Sequence, residues 1–191
     1  MPAERPLDEA AVAWALASVE LAGKSAHVLD LGCGDGRVTA LLARAGAEAT
    51  GVDPSEVALE RARARHPDLE FRTTAADGTL PFADGVFDVV VCLNVLEHVA
   101  DTQRLMSEAR RVLPAGGRIA IAVPHHGRLQ SLWIAVASFE RHHDPLEPTL
   151  RFYTQRSLAA LLEQFGYGEV ELAAAGGPPL FRRSLLARAR R

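Results

Sequence analysis

Three glycines, Gly32, Gly34 and Gly36, follow the mostly apolar run Val28-Leu29-Asp30-Leu31, with one acid, Asp30, before them and another, Asp35, among them. Glycine lets a backbone turn sharply and approach a ligand closely. The run Gly51-Val52-Asp53 ends on a carboxylate, about twenty residues after the first glycine, the spacing expected of a group that takes ribose hydroxyls. Together these residues point to a nucleoside-containing cofactor. A second chemistry comes from histidine, which gains and loses a proton near neutral pH. His98, His125 and His126 each follow an apolar run, with His142 and His143 further on. A base of that kind is needed when a reacting group must lose a proton.

The flanking residues decide which cofactor. The nicotinamide fingerprint needs a third glycine where Arg37 stands. No phosphate loop is present, and the chain's single lysine, Lys24, lies before the first strand. Acids beside a ligand disfavour a pyrophosphate and favour a cation. S-adenosylmethionine carries a sulfonium, an ammonium and ribose hydroxyls, and no phosphate, so it fits.

These residues need elements to hold them. Alternating signals predict a helix over 7–21, a strand over 27–31, a helix over 37–45 and a strand over 49–53. A helix opened by Pro54-Ser55 runs to about Arg65, and a strand covers 69–73. The run Phe87 to Leu93, apolar except for Asp88, reads as a central parallel strand covered on both faces. A helix over 102–113 and a strand over 118–123 follow. The pattern then breaks at 124–153, which holds an apolar helix from Leu129 to Phe139 and the stretch His142-His143-Asp144-Pro145. A helix capped by Thr154 and strands near 169–174 and 184–189 complete a doubly wound α/β sheet.

The chain has 191 residues and a net charge of −3, enough for one domain with a sizeable core and against a generic nucleic-acid binder. Arg182, Arg183, Arg188, Arg190 and Arg191 read as a solvated final strand and tail. No apolar run is long enough to span a bilayer, and the first residues lack a leader's apolar core. Cys33 and Cys92 read as small buried hydrophobes. A reduced, cytoplasmic setting is expected.

In order along the chain, Val28 to Gly36, Gly51-Val52-Asp53, Ala76-Asp77-Gly78, Leu80-Pro81-Phe82, Phe87-Asp88-Val89, Val95-Leu96-Glu97-His98 and Leu113 to Gly117 form a specific series. With it the chain resembles the class I S-adenosylmethionine-dependent methyltransferases. Nearest is the small methyltransferase-11 type, which includes ubiquinone and menaquinone biosynthesis enzymes. The resemblance implies a Rossmann-like seven-stranded sheet of order 3-2-1-4-5-7-6, with the last strand antiparallel and helices on both faces. It implies a single domain over 1–191 with a substrate-side insert at about 124–153. It implies that Asp30 and the backbone of Gly32 and Gly34 hold the methionine part of the cofactor, and that Asp53 takes the ribose hydroxyls. Asp77 and Gly78 would receive the adenine, and Asn94 would face the methionine carboxylate.

The expected activity is methyl transfer to a small acceptor, aromatic or lipophilic, with S-adenosylhomocysteine as product. An O-acceptor is expected, with His98, His125 and His126 as candidate bases. Carbon or nitrogen acceptors, aminopropyl transfer, and a non-catalytic or partner-dependent cofactor binder stay open. Relatives that bind a divalent metal carry Glu-x-x-Glu-His at this point; Asn94 stands for the first glutamate here, so no metal is expected. The protein is expected to work as a monomer or homodimer.

Overall fold

The computed structural model describes residues 7–23, 25–75, 77–125, 127, 136, 149–178 and 182–191. His126, the Leu129–Phe139 helix apart from Val136, and the His142-His143-Asp144-Pro145 stretch lie outside them. Among the described residues, the chain runs α1 (Glu9–Glu20), β1 (His27–Leu31), α2 (Arg37–Arg44), β2 (Glu48–Asp53), α3 (Glu56–Arg65), β3 (Glu70–Thr73) and β4 (Val89–Leu93). It continues through α4 (Thr102–Arg111), β5 (Arg118–Pro124), α5 (Gln155–Gln164), β6 (Gly168–Ala175) and β7 (Ser184–Arg190). The seven strands form one sheet of order β3-β2-β1-β4-β5-β7-β6. All pairs are parallel except the two that β7 makes, with β5 and with β6. The order and the direction of β7 are those implied by the resemblance.

Alternation along the central strands builds two cores. Val28, Val89, Val91 and Ala120 face one side, where Ala15 and Val19 of α1 and Leu42 of α2 pack on them. Leu29, Val90, Cys92, Ile119 and Ile121 face the other, against Met106 and Ala109 of α4 and Leu158 and Leu162 of α5. A strand covered on both faces needs apolar residues at every position, which is why β4 reads as an unbroken run. Asp30 is the exception: it points to the α2 side, where Thr39 meets it.

The helix starts have local causes. Asp8 accepts hydrogen bonds from the Ala10 and Ala11 amides and so starts α1 two residues later than the apolar pattern indicates. Ser55 caps α3 and Asp101 caps α4 in the same way. Thr154 and Ser157 form a reciprocal capping pair at α5. The buried face of α1 is Ala11, Ala15, Ser18 and Val19, while Leu21 at its end is 52% exposed. Small residues let α1 lie close to β5 and β7, and Trp14 at its edge donates its indole N–H to the Ala187 carbonyl.

The carboxyl-terminal arginines hold the structure to itself. Arg188 pairs with Glu171 and lies over the Trp14 ring, and Arg191 donates to backbone carbonyls at the end of α4. No helix among the described residues is long and apolar enough to cross a membrane.

β2 passes beneath the glycine turn only because Gly51 has no side chain. A Cβ there would lie 2.6 Å from the Phe71 ring and 2.8 Å from the Cys33 sulfur. Gly51→Ala is therefore expected to destabilise the protein by about 1–3 kcal/mol, the cost of overpacking a filled core. Urea unfolding followed by circular dichroism reads this directly, and an unchanged midpoint would mean that Phe71 moves aside freely.

Candidate active site

The turn after β1 is fixed by β2. The Gly32 and Cys33 amides both donate to the Val52 carbonyl, at 2.8 and 3.0 Å, and the Gly34 amide donates to the Asp53 carboxylate at 2.9 Å. Gly32 has a positive φ of 80°, and a Cβ on it would collide with Val95. No other residue type fits there without strain. The other Asp53 oxygen accepts the Ser55 amide at 2.8 Å. Each Asp53 oxygen thus holds one backbone N–H and keeps acceptor capacity for a second donor.

A cavity of about 510 Å³ opens over this turn, at the carboxyl ends of β1, β4 and β5. The strand order reverses between β1 and β4, the crevice where open α/β sheets bind ligands. Gly32, Gly34, Asn94, Glu97 and His98 line it, together with Asp35 and the start of α1. Asn94 has a positive φ of 55°, which turns the chain out of β4 over the cavity while its amide bonds to the Ala122 carbonyl. Asparagine tolerates that conformation better than most residues.

The turn after Asn94 is strapped from far along the chain. The Leu150 and Arg151 amides donate to the Glu97 carbonyl at 2.7 and 3.2 Å. The Arg151 guanidinium donates to the Val99 and Ala100 carbonyls, and Tyr153 donates to the Leu96 carbonyl at 3.4 Å. This leaves Glu97 1% exposed, with His98 beside it: His98 Nε2 lies 3.8 Å from Glu97 Oε1.

A family model described as a methyltransferase domain matches residues 29–121. The demethylmenaquinone methyltransferase of Tropheryma whipplei is 32% identical over 174 residues, which cover 81% of this chain and 72% of that one. The chain belongs to the S-adenosylmethionine-dependent methyltransferases. The ubiquinone biosynthesis O-methyltransferase of Rhizobium johnstonii is 38% identical over 100 residues; they cover 50% of this chain and 40% of that one, less than half of the relative's length. Among solved structures, the 1,6-didemethyltoxoflavin-N1-methyltransferase of Burkholderia thailandensis, crystallised with S-adenosylhomocysteine, superposes with a TM-score of 0.70. It is 24% identical, and the match covers 96% of this chain and 79% of that one. That likeness supports the fold.

S-adenosylmethionine is the cofactor of this methyltransferase, and the donor set fits it. With their amides engaged by β2, Gly32 and Gly34 can offer a ligand only carbonyl oxygens, acceptors suited to an ammonium. Among the described residues no lysine stands in the cavity wall, and Arg37 there is paired with Asp35 at 3.1 Å. Burial works to raise the Asp35 carboxyl, but Arg37 and Arg65 outweigh it and hold the group below the usual range.

The remaining site residues are placed as follows. Asp30 lies beneath the turn, 3% exposed, with its carboxylate 2.6 Å from the Thr39 hydroxyl. Asp77 stands outside the cavity wall, its side chain 67% exposed. It accepts the Thr79 amide at 2.9 Å and faces Arg104 at 3.5 Å. Gly78, next to it, has a positive φ of 81°. His125 bridges to Tyr153, and its ring nitrogen Nδ1 lies 3.3 Å from the Arg182 carbonyl; it too is outside the cavity wall. Of the two candidate bases that are described, His98 lines the cavity, with its side chain 35% exposed. Among the described residues, no group of three or more His, Cys, Asp or Glu side chains is arranged to hold a metal. The expectation for single residues overlooked the burial of Glu97; the signal for it was the acid directly after the core residue Leu96.

Burial pushes the Asp30 carboxyl up from its ordinary 3.8 to about 6, with a smaller contribution from Asp53; Thr39 opposes the rise. A raised acid binds its proton more tightly when folded. Its stabilising contribution is present at low pH and is lost as pH rises through the folded value. Asp30→Asn should therefore gain stability relative to wild type between about pH 4 and 7, by roughly 3 kcal/mol at most. Denaturant unfolding at those two pH values measures the difference, and a constant gap would refute the assignment.

Proposed function

We propose that this methyltransferase acts on a hydroxyl oxygen of a small acceptor, aromatic or lipophilic, with His98 as the base. The observation that carries this reading is His98 in one cavity wall with Gly32, Gly34 and Asn94. Support comes from relatives named for ubiquinone O-methylation and for demethylmenaquinone. When bound, S-adenosylmethionine supplies a methyl group on a sulfonium, an already activated leaving group. The chain's part is to hold the acceptor oxygen in near-attack geometry and to take its proton.

On this reading the Gly32 and Gly34 carbonyls receive the ammonium, and the buried Asp30 adds negative potential beneath them. Asn94 faces the methionine carboxylate through its side-chain amide. Asp53 accepts the ribose hydroxyls with the lone pairs its backbone donors leave open. Asp77 and Gly78 take the adenine edge. His125 and His126 are the alternative bases on the acceptor side. The start of α1 and the segment at 124–153 shape the acceptor pocket of a single domain, working in the cytoplasm as a monomer or homodimer.

Calorimetric titration with S-adenosylmethionine and S-adenosylhomocysteine is the direct test of the site. Asp53→Ala should weaken both by more than about 1 kcal/mol, the scale of a lost charge-assisted bond; equal affinity would remove Asp53 from the ribose. His98→Ala should lower turnover of phenol or quinol acceptors by about a hundredfold or more, the usual contribution of a positioned base. Its cofactor affinity should stay at the wild-type value. Unchanged turnover would mean that the base is elsewhere.

A further inference from the structure

Glu97 is a buried acid that is only half met. It is 1% exposed; Oε1 lies 3.8 Å from His98 Nε2, and Oε2 has no hydrogen-bond partner among the described residues. The nearest cation along the strap is turned away: the Arg151 guanidinium is engaged by the Val99 and Ala100 carbonyls. The Glu97 carbonyl is held by the Leu150 and Arg151 amides, which fixes the backbone from which the side chain extends. An unsatisfied buried polar group costs folding free energy, and a leucine or methionine here would cost less. Yet Glu97 belongs to the wall of the cavity that holds Gly32, Asn94 and His98.

We propose that Glu97 is a specificity-determining residue whose free oxygen receives a hydrogen bond from the methyl acceptor. This inference rests on the methyl-transfer reading above. The acceptor it selects is neutral or cationic and bears an O–H or N–H group; an anionic acceptor meets the Asp35 and Glu97 carboxylates across a cavity whose arginine is already paired. Burial raises the Glu97 carboxyl above its ordinary range. It therefore meets a neutral hydroxyl at less cost than a permanently charged acid would, and an ammonium draws it into the ionised form. A donor-bearing acceptor completes a hydrogen-bonding set that the fold leaves open.

The test uses the full chain saturated with S-adenosylhomocysteine and a probe series of phenol, catechol, benzylamine, anisole and benzoate, with binding read by saturation-transfer NMR. Wild type should prefer phenol, catechol and benzylamine over anisole and benzoate by about tenfold, the worth of one good hydrogen bond to a charged group. Glu97→Leu should bind phenol and anisole alike. Glu97→Gln, which keeps the shape and one acceptor oxygen, should retain phenol and lose the preference for benzylamine. Both variants should melt at or above the wild-type temperature, because they remove a buried acid that is only half met; a merely structural glutamate would lower it. An unchanged probe ranking in Glu97→Leu, or a wild type that does not discriminate, overturns the proposal. Binding of S-adenosylhomocysteine in the same samples separates that outcome from failure of the methyltransferase site itself.

Discussion

The attachment of the glycine turn to the end of β2 is the constraint on which the site depends. Three consecutive amides, from Gly32 to Gly34, donate to Val52 and Asp53. A turn of this kind normally presents free N–H groups, and free N–H groups bind anions. Engaging them inverts the polarity of the site: carbonyl oxygens and carboxylates remain, and these favour a cation. The same bonds orient Asp53 from two directions, through Gly34 and Ser55, without using up its acceptor capacity. The side chain of Gly51 is missing for the same reason, since any Cβ would push Phe71 and Cys33 into the turn.

From that attachment the buried acids follow. Asp30 sits in the central parallel strand, where every other inward position is apolar. Burial without a cationic partner raises its carboxyl to about 6. Glu97 repeats the pattern at the end of the neighbouring strand, with desolvation again the main cause. Neither residue stabilises the fold in its ionised form. By contrast Glu108, also buried, is satisfied by Arg111 and the Leu80 amide, and its carboxyl is held below the usual range. One acid locks the loop over 80–84 to α4. The other two, Asp30 beneath the glycine turn and Glu97 in the cavity wall, meet no arginine among the described residues.

Much of this was legible in the residues. β1 has the expected bounds, and the other strands differ by two residues at most where they begin or end. Hydrophobic runs, glycine stops and capping residues act over a few positions, so the sequence reports them faithfully. The strand order followed from the motif series and the resemblance it carries. What was not legible acts over long distances. The true buried face of α1 is set by how closely small residues approach β5 and β7, not by the helical period alone. The engaged amides of Gly32 and Gly34 depend on a strand about twenty residues away. The burial of Glu97 depends on Leu150 and Arg151, more than fifty residues away, and no local pattern encodes that strap.

The strap also bears on how acceptor recognition is coupled to chemistry. Thr149 lines the cavity, while Leu150 and Arg151 hold the Glu97 backbone and Tyr153 holds Leu96. The segment 149–153 is thus hydrogen-bonded to the turn that carries Glu97 and His98. Any displacement of that segment must break bonds to the Glu97, Val99 and Ala100 carbonyls together. These bonds involve one short stretch of backbone, so they are lost together. The glycine turn is held differently, because it is bonded to β2 and so to the sheet. The physical division of the cavity wall therefore runs between β1 and β4: one half fixed through strand pairing, the other by hydrogen bonds from residues 150–153.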